Sequence, residues 1–425
     1  MGTTNLLPGA LRKLSGDGWL LFLSRFTRLF AYGSLSVILV FYLIGLGLSE
    51  SQTGLVLTLT LAGDIAVSLY LTTRADRIGR RRMLCIGAVL MAAAGLAFAF
   101  TSNLLFLIVA GTIGVISPSG NEVGPFLSIE QAALSHIVPG HARTEVFAWY
   151  TLAGAFATAL GALFGGVVTQ GLQRAAVTPV MSYRVIVLLY AALGGLLGVL
   201  FTGLSAQVEA AEEGKQRSAL PTVGGRFFGI AKSRETVLKL ASLFALDAFG
   251  GGFVMQSFAA YWFYLRFGVR PAILGAIFFW ANVFAGVSAL AASRIAARVG
   301  LVWTMVVTHL PSNLLLILVP LMPSFRFAVT ILLLRFSISQ MDVPTRQSYT
   351  MAVVRGEERS AAGGLTGVAR TAGAAVSPLF AGFLFARPSL IDTPFFIAGE
   401  LKIVYDLLLY FSFRKVRPPE EGQPR

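Results

Sequence analysis

Five acids (Asp64, Glu122, Glu130, Asp247 and Asp342) and three arginines (Arg25, Arg346 and Arg370) stand inside stretches of sequence that are otherwise almost wholly apolar. A carboxyl in such surroundings can take up and release a proton. A guanidinium can hold an anion through two parallel hydrogen bonds. Together they can form ion pairs whose making and breaking opens or shuts a path. Bond-making chemistry has little to work with. Cys85 is the only cysteine, which rules out an intramolecular disulfide and a Cys-rich metal site, and His136, His141 and His309 are scattered without ligand spacing. There is no Ser-His-Asp set and no phosphate loop, so the residues point away from an enzyme, and no cofactor or metal is expected.

Each charge has a bland reading beside the chemical one. Asp64 in "LAGDIAVSLY" lies about 12 residues before a basic loop, roughly 18 Å from that end of its helix, which is close to mid-membrane depth. Arg25 and Arg28 are three apart on one helix face, and snorkelling to the interface accounts for one of them. Asp247 falls at nearly the depth of Arg25 in the corresponding helix of the second half, so a facing pair is expected. Glu122 reaches a pathway or caps a helix end. Asp342 and Arg346 are one turn apart and can pair within one helix. Arg370 lies about 11 residues past Arg359, again near mid-depth. Gly250, Gly251 and Gly252, next to Asp247, suit a bending or closely packed helix.

The elements that position these residues follow from composition. Of 425 residues 56% are hydrophobic and 13% charged, with mean hydropathy +0.75, where soluble domains carry about 25% charged residues. Spans of about 20 residues start near Trp19, Ser51, Arg82, Leu104, Thr144, Tyr183, Val237, Pro271, Leu301, Phe327, Ser360 and Leu390. The first apolar stretch is too long for a cleaved signal peptide and reads as a retained span. The expected fold is therefore an all-α multi-pass membrane protein of twelve transmembrane helices. The formal charge of +14 is concentrated in loops such as "RADRIGRRR" (74–82) and the stretch 215–239, which lie on one side if both termini are cytoplasmic. That distribution fits a lipid bilayer and gives no support to a nucleic-acid partner.

The polar stretch 205–226 divides the spans six and six. The expected organisation is a cytoplasmic tail (1–18), a six-helix bundle (19–204), a central cytoplasmic linker (205–236), a second bundle (237–414) and a cytoplasmic tail (415–425). The bundles match as repeats. A shift of 221 carries Gly47 to Gly268, Gly54 to Gly275, Arg77 to Arg298 and Gly79 to Gly300; a shift of 216 carries Gln131 to Gln347, Arg143 to Arg359 and Gly166 to Gly382. The five extra residues are expected in "SPSGNEVGP" (117–125), whose two prolines break the fourth span beside the central pathway. Glu130 and Arg346 fall at equivalent positions. Opposite charges at one depth are expected to attract across the cavity, or to act separately within their own halves.

This arrangement resembles the major facilitator superfamily of secondary transporters. The loop "TRADRIGRRRM" (73–83) is similar to that family's motif between its second and third spans, matching at Asp76, Arg77, Gly79, Arg80 and Arg81, with Thr72 where the family has Gly. "GALFGG" (161–166) keeps part of the family's antiporter motif, with Ala162 in place of Pro. The resemblance implies two pseudo-symmetric bundles that rock about a central site, with Asp76 and its arginines gating the cytoplasmic side. On this reading the chain is a monomeric carrier of a small-molecule substrate in a bacterial inner membrane, with protons as coupling ion and efflux slightly favoured over uptake. The alternatives are an organic-anion carrier and a sensor or assembly protein that moves no solute.

Overall fold

The computed structural model describes residues 11, 14–122, 124–139, 143–209, 233–355 and 358–414. Most of both tails and of the linker lie outside them. The described chain is helical throughout. The first span runs Gly16–Ser36 and, after a 49° bend, Leu39–Gly45. The second is Glu50–Ile78, the third Arg80–Phe100, the fifth Arg143–Arg174 and the sixth Pro179–Thr202. In the other half the seventh span is Arg234–Phe253 continued by Gln256–Phe267. The eighth is Pro271–Val299, the ninth Leu301–Leu321, the eleventh Arg359–Phe385 and the twelfth Thr393–Phe413.

Local chemistry sets these boundaries. Ser49 and Gln52 form a reciprocal capping box at the start of the second span, and the Asn103 side chain accepts from the amides of Leu105 and Phe106. Pro179 and Pro271 sit in first turns, where the missing amide costs nothing. Gly79 and Gly300, equivalent under the 221 shift, separate consecutive helices with φ of 121° and 86°, a conformation that L side chains resist.

The fourth span is broken where its prolines predict. Helix Leu104–Ile113 stops, and helix Phe126–Ile137 starts after an irregular segment. The segment's freed carbonyls find side-chain donors: Tyr190 donates to Val115 and Thr158 to Gly120. The tenth span is broken as well, into Phe325–Phe336 and Asp342–Ala352. No proline lies in that gap, and nothing in its residues marks the break. Among the described residues eight helices alone are long and apolar enough to cross a membrane, nine with the bent pair joined. The fourth and tenth spans fall short because they are broken, and the twelfth because it carries Glu400, Lys402 and Asp406. With these three the architecture is twelve spans in two six-helix bundles.

The two halves meet closely at the end away from the linker. There Gly54 of the second span lies on Gly382 of the eleventh. A Cβ on Gly54 would fall 2.3 Å from the Pro378 carbonyl oxygen, and one on Gly382 would fall 2.4 Å from that of Glu50. The fifth and eighth spans cross in the same way. A Cβ on Gly166 would fall 2.3 Å from the Pro271 oxygen, and one on Gly275 would fall 2.7 Å from that of Ala162. Because Gly54 is equivalent to Gly275 and Gly166 to Gly382, these are two copies of one contact related by the repeat. Gln256 donates to Ser36 (2.7 Å), Tyr261 to Glu50 (2.9 Å) and the Ala272 amide to Gln170 (3.0 Å) at the same end.

Candidate functional site: two buried charge clusters

In the first half, Arg28 is the centre. Its guanidinium is fully buried and bonds both oxygens of Glu130 at 2.7 Å and Glu122 at 2.5 Å. Ser24 (2.8 Å) and Tyr150 (2.5 Å) complete the shell of Glu130. Arg25 reaches Glu122 at 3.5 Å and stacks on the Tyr150 ring. The break in the fourth span allows this: it turns Glu122 back toward Arg28 while Glu130 stays one helix further on. Asp64 stands apart. It accepts from Ser68 at 3.4 Å, and among the described residues it forms no ion pair although it is only 4% exposed.

In the second half, Asp247 takes the corresponding place. Lys402 bonds it at 2.5 Å and Arg346 at 3.1 Å, and Arg346 also holds Asp342 at 3.0 Å. His309 lies between two acids, with Nδ1 2.8 Å from Asp406 and Nε2 3.7 Å from Asp247. Asn313 donates to the other Asp406 oxygen at 2.8 Å. Arg370 is within electrostatic range of Arg346, Asp247 and Asp342. It makes no ion pair with any described residue, and its Nε is buried without a hydrogen-bond partner.

Two expected pairs do not form. Glu130 and Arg346 each find partners inside their own half, and Arg25 and Asp247 do the same. The reason is that the first-span and seventh-span charges are inverted along with the fourth and tenth: Arg28 faces Glu130 in one bundle, and Asp247 faces Arg346 in the other. Opposite charges at equivalent positions are thus two internal bridges of reversed polarity. Arg28 does not snorkel, because two carboxylates hold it in the interior. The pairing of Asp342 with Arg346 is as the spacing suggests. Tyr42, Trp262 and Phe263 are buried in the packed core, where Tyr42 donates to the Phe98 carbonyl and Trp262 to Asp392. Gly252 packs against Ser377 and Ala374, and its helix breaks just after, at Val254.

Lys402 and Asp406 are not among the residues expected from sequence, and His309, lacking ligand spacing, is not expected in a charge cluster. The i, i+4 spacing of Lys402 and Asp406 in an apolar helix was the available signal.

The loop motif also bonds within its half. Asp76 accepts from Arg80 at 2.8 Å, and Arg80 donates onward to the carbonyls of Val208 (3.1 Å) and Ala132 (3.4 Å). Glu209, at the start of the linker, accepts from the amides of Arg80 (2.6 Å) and Arg81 (3.2 Å). It thereby caps the third span where the helix dipole favours an anion. Thr72, in place of the family's Gly, turns its hydroxyl to the Ser68 carbonyl. The close approach of the second and eleventh spans is made at Gly54 instead.

Twelve spans in two like bundles, joined tightly at one end and each holding a buried charge cluster, define a multi-pass membrane transporter. Residues 21–334 match the model of the Major Facilitator Superfamily, and the chain belongs to that family. It is 32% identical over 423 residues to the uncharacterized membrane protein YJR124C of Saccharomyces cerevisiae, covering 94% of each chain. A shorter stretch of 156 residues is 24% identical to the quinolone resistance protein NorA of Staphylococcus aureus, covering 37% of this chain and 39% of NorA. The crystal structure of the nucleoside transporter NupG superposes with a TM-score of 0.73 at 13% identity, over 94% of this chain and all of that one.

Proposed function

We propose that this protein is a proton-coupled secondary transporter of a small solute, in which two rigid bundles rock about the glycine crossings at the end away from the linker. The observation that carries the reading is the separation of the charges. Every ion pair among the described residues lies within one bundle, so the halves can part without breaking one, while the contacts between them are glycine crossings and hydrogen bonds such as that from Tyr261 to Glu50. With the linker and both termini cytoplasmic, as the arginine-rich loops favour, this is the inward-facing state. Asp64 is the preferred proton carrier, because it can gain or lose a proton without breaking an ion pair; Glu130 would first have to part from Arg28. The loop around Asp76, Arg77, Gly79, Arg80 and Arg81 would then close the cytoplasmic side in the opposite state. Likeness to a quinolone resistance protein favours export over uptake. A bacterial inner membrane and a monomer complete the reading.

The test is reconstitution into liposomes loaded with a pH-sensitive dye. A solute from a panel of organic acids, bases and neutral compounds should shift luminal pH, and Asp64→Asn should abolish the shift. Solute movement with no proton movement would overturn the coupling. No movement of any solute would favour the sensor or assembly reading.

One observation favours an organic anion as the solute. Arg370 offers, beside the Asp247 cluster, a guanidinium with no ion-pair partner among the described residues, and an acid could dock there through two hydrogen bonds. If so, acids in the panel should move and their uncharged amides should not, and Arg370→Gln should raise the half-saturating concentration of the acid about tenfold or more.

A further inference from the structure

At the linker end, outside both charge clusters, the third and sixth spans frame a cavity of about 710 Å³ lined by Arg81, Arg82, Cys85, Ile86, Thr202, Ser205, Ala206 and Glu209. Its composition is two-sided. Arg81 and Arg82 lie in the first turn of the third span. Both are exposed, and among the described residues neither guanidinium forms an ion pair. The two nearby carboxylates are engaged elsewhere: Glu209 caps the backbone amides of Arg80 and Arg81, and Asp17 accepts from the Ser205 amide (2.9 Å) and hydroxyl (2.5 Å). Arg80 is neutralised by Asp76. Among the lining residues two arginines stand against one carboxylate, Glu209, so the rim keeps a net positive charge, with the Ser205 and Thr202 hydroxyls beside it.

Toward the membrane the lining turns apolar at Cys85 and Ile86. The same two helices go on to expose Val89 on the third span, and Leu196 and Val199 on the sixth. Thr202 is the last residue of the sixth span, so the rim lies where the helices leave the hydrocarbon. Trp19, 42% exposed at the same end of the first span, is the kind of residue that sits at headgroup level.

We propose that this cavity binds one anionic phospholipid, its phosphate between Arg81 and Arg82 and its acyl chains along the apolar face of the third and sixth spans. Charge complementarity selects the headgroup, and the apolar continuation selects a lipid over a soluble anion. The two arginines thereby gain a ligand role separate from the pairing of Asp76 with Arg80, and the occupied site ties the third span to the sixth at the start of the linker.

The experiment uses the full chain in detergent, independent of any transported solute. Native mass spectrometry should show phosphatidylglycerol retained in preference to phosphatidylcholine. Arg81→Gln with Arg82→Gln should weaken that retention by about 10- to 30-fold, the scale of two near-surface arginines. Thr202→Trp, which fills the cavity and keeps both charges, should do the same. Arg270→Gln, at the other end of the molecule, should leave retention unchanged. Folding of each variant is checked by its melting temperature in phosphatidylcholine alone. Equal retention of the two lipids, an undiminished signal in the filled-cavity variant, or equal stabilisation by inorganic phosphate would each overturn the assignment.

Discussion

Gly54 and Gly382 lie backbone to backbone across the boundary between the bundles, each so placed that a Cβ would overlap the other helix's carbonyl. Gly275 and Gly166 repeat the arrangement on the far side of the pseudo-twofold axis. Both contacts belong to the closed end, so bulk there should act on the conformational equilibrium. Overpacking costs about 1–3 kcal/mol. Gly54→Val is therefore expected to favour separation at that end by about tenfold. With Cys85→Ala as background, the labelling rate of Gln256→Cys by an impermeant thiol reagent should rise correspondingly. An unchanged rate would show that the crossing adapts without opening.

The bridge between Arg28 and Glu130 makes a different prediction. Removing one member of a buried pair leaves the other uncompensated, at about 3–5 kcal/mol. Arg28→Gln and Glu130→Gln should each lower the melting temperature sharply. Arg28→Met with Glu130→Met should recover part of the loss, which a double-mutant cycle measures. Exchanging Glu130→Arg with Arg346→Glu should not rescue either single reversal, because arginine at 130 would face Arg28 and glutamate at 346 would face Asp247 and Asp342. Rescue by the exchange would mean that the two meet in another state.

Asp64 should separate stability from coupling. It has no ion-pair partner among the described residues, so Asp64→Asn is expected to change stability by no more than about 1 kcal/mol, the scale of one hydrogen bond. It should nevertheless abolish solute-driven proton movement in liposomes. A large fall in melting temperature with coupling intact would assign Asp64 a structural role.

Glu209 should matter to the third span. Glu209→Gln weakens a charge-assisted cap at a helix start and is expected to cost about 1 kcal/mol. Hydrogen exchange at the amides of Arg80 and Arg81 should speed up, while that of the second span stays as it was. Asp76→Asn frees Arg80 and is expected to slow transport without a change of more than a few fold in solute affinity. Wild-type turnover in that variant would dissociate the loop from gating.

Sequence alone determined the spans, their doubling and the break in the fourth. Those rest on signals that run along the chain: apolar length, a constant repeat offset, and two prolines that cannot stay in a ladder of amides. Position along each helix was legible too, because it follows from counting 1.5 Å per residue from a charged loop. Rotation about each helix axis was not. A helix apolar on nearly every face has no polar stripe to show which side turns inward, so Arg28 could not be told from Arg25, nor Lys402 from a surface lysine. Only the tertiary structure could bring Arg28 to Glu130 across 102 residues and Lys402 to Asp247 across 155. The same holds for the glycines. Their equivalence under the repeat could be read from position, but that Gly54 meets Gly382 and Gly166 meets Gly275 depends on how one bundle is turned against the other.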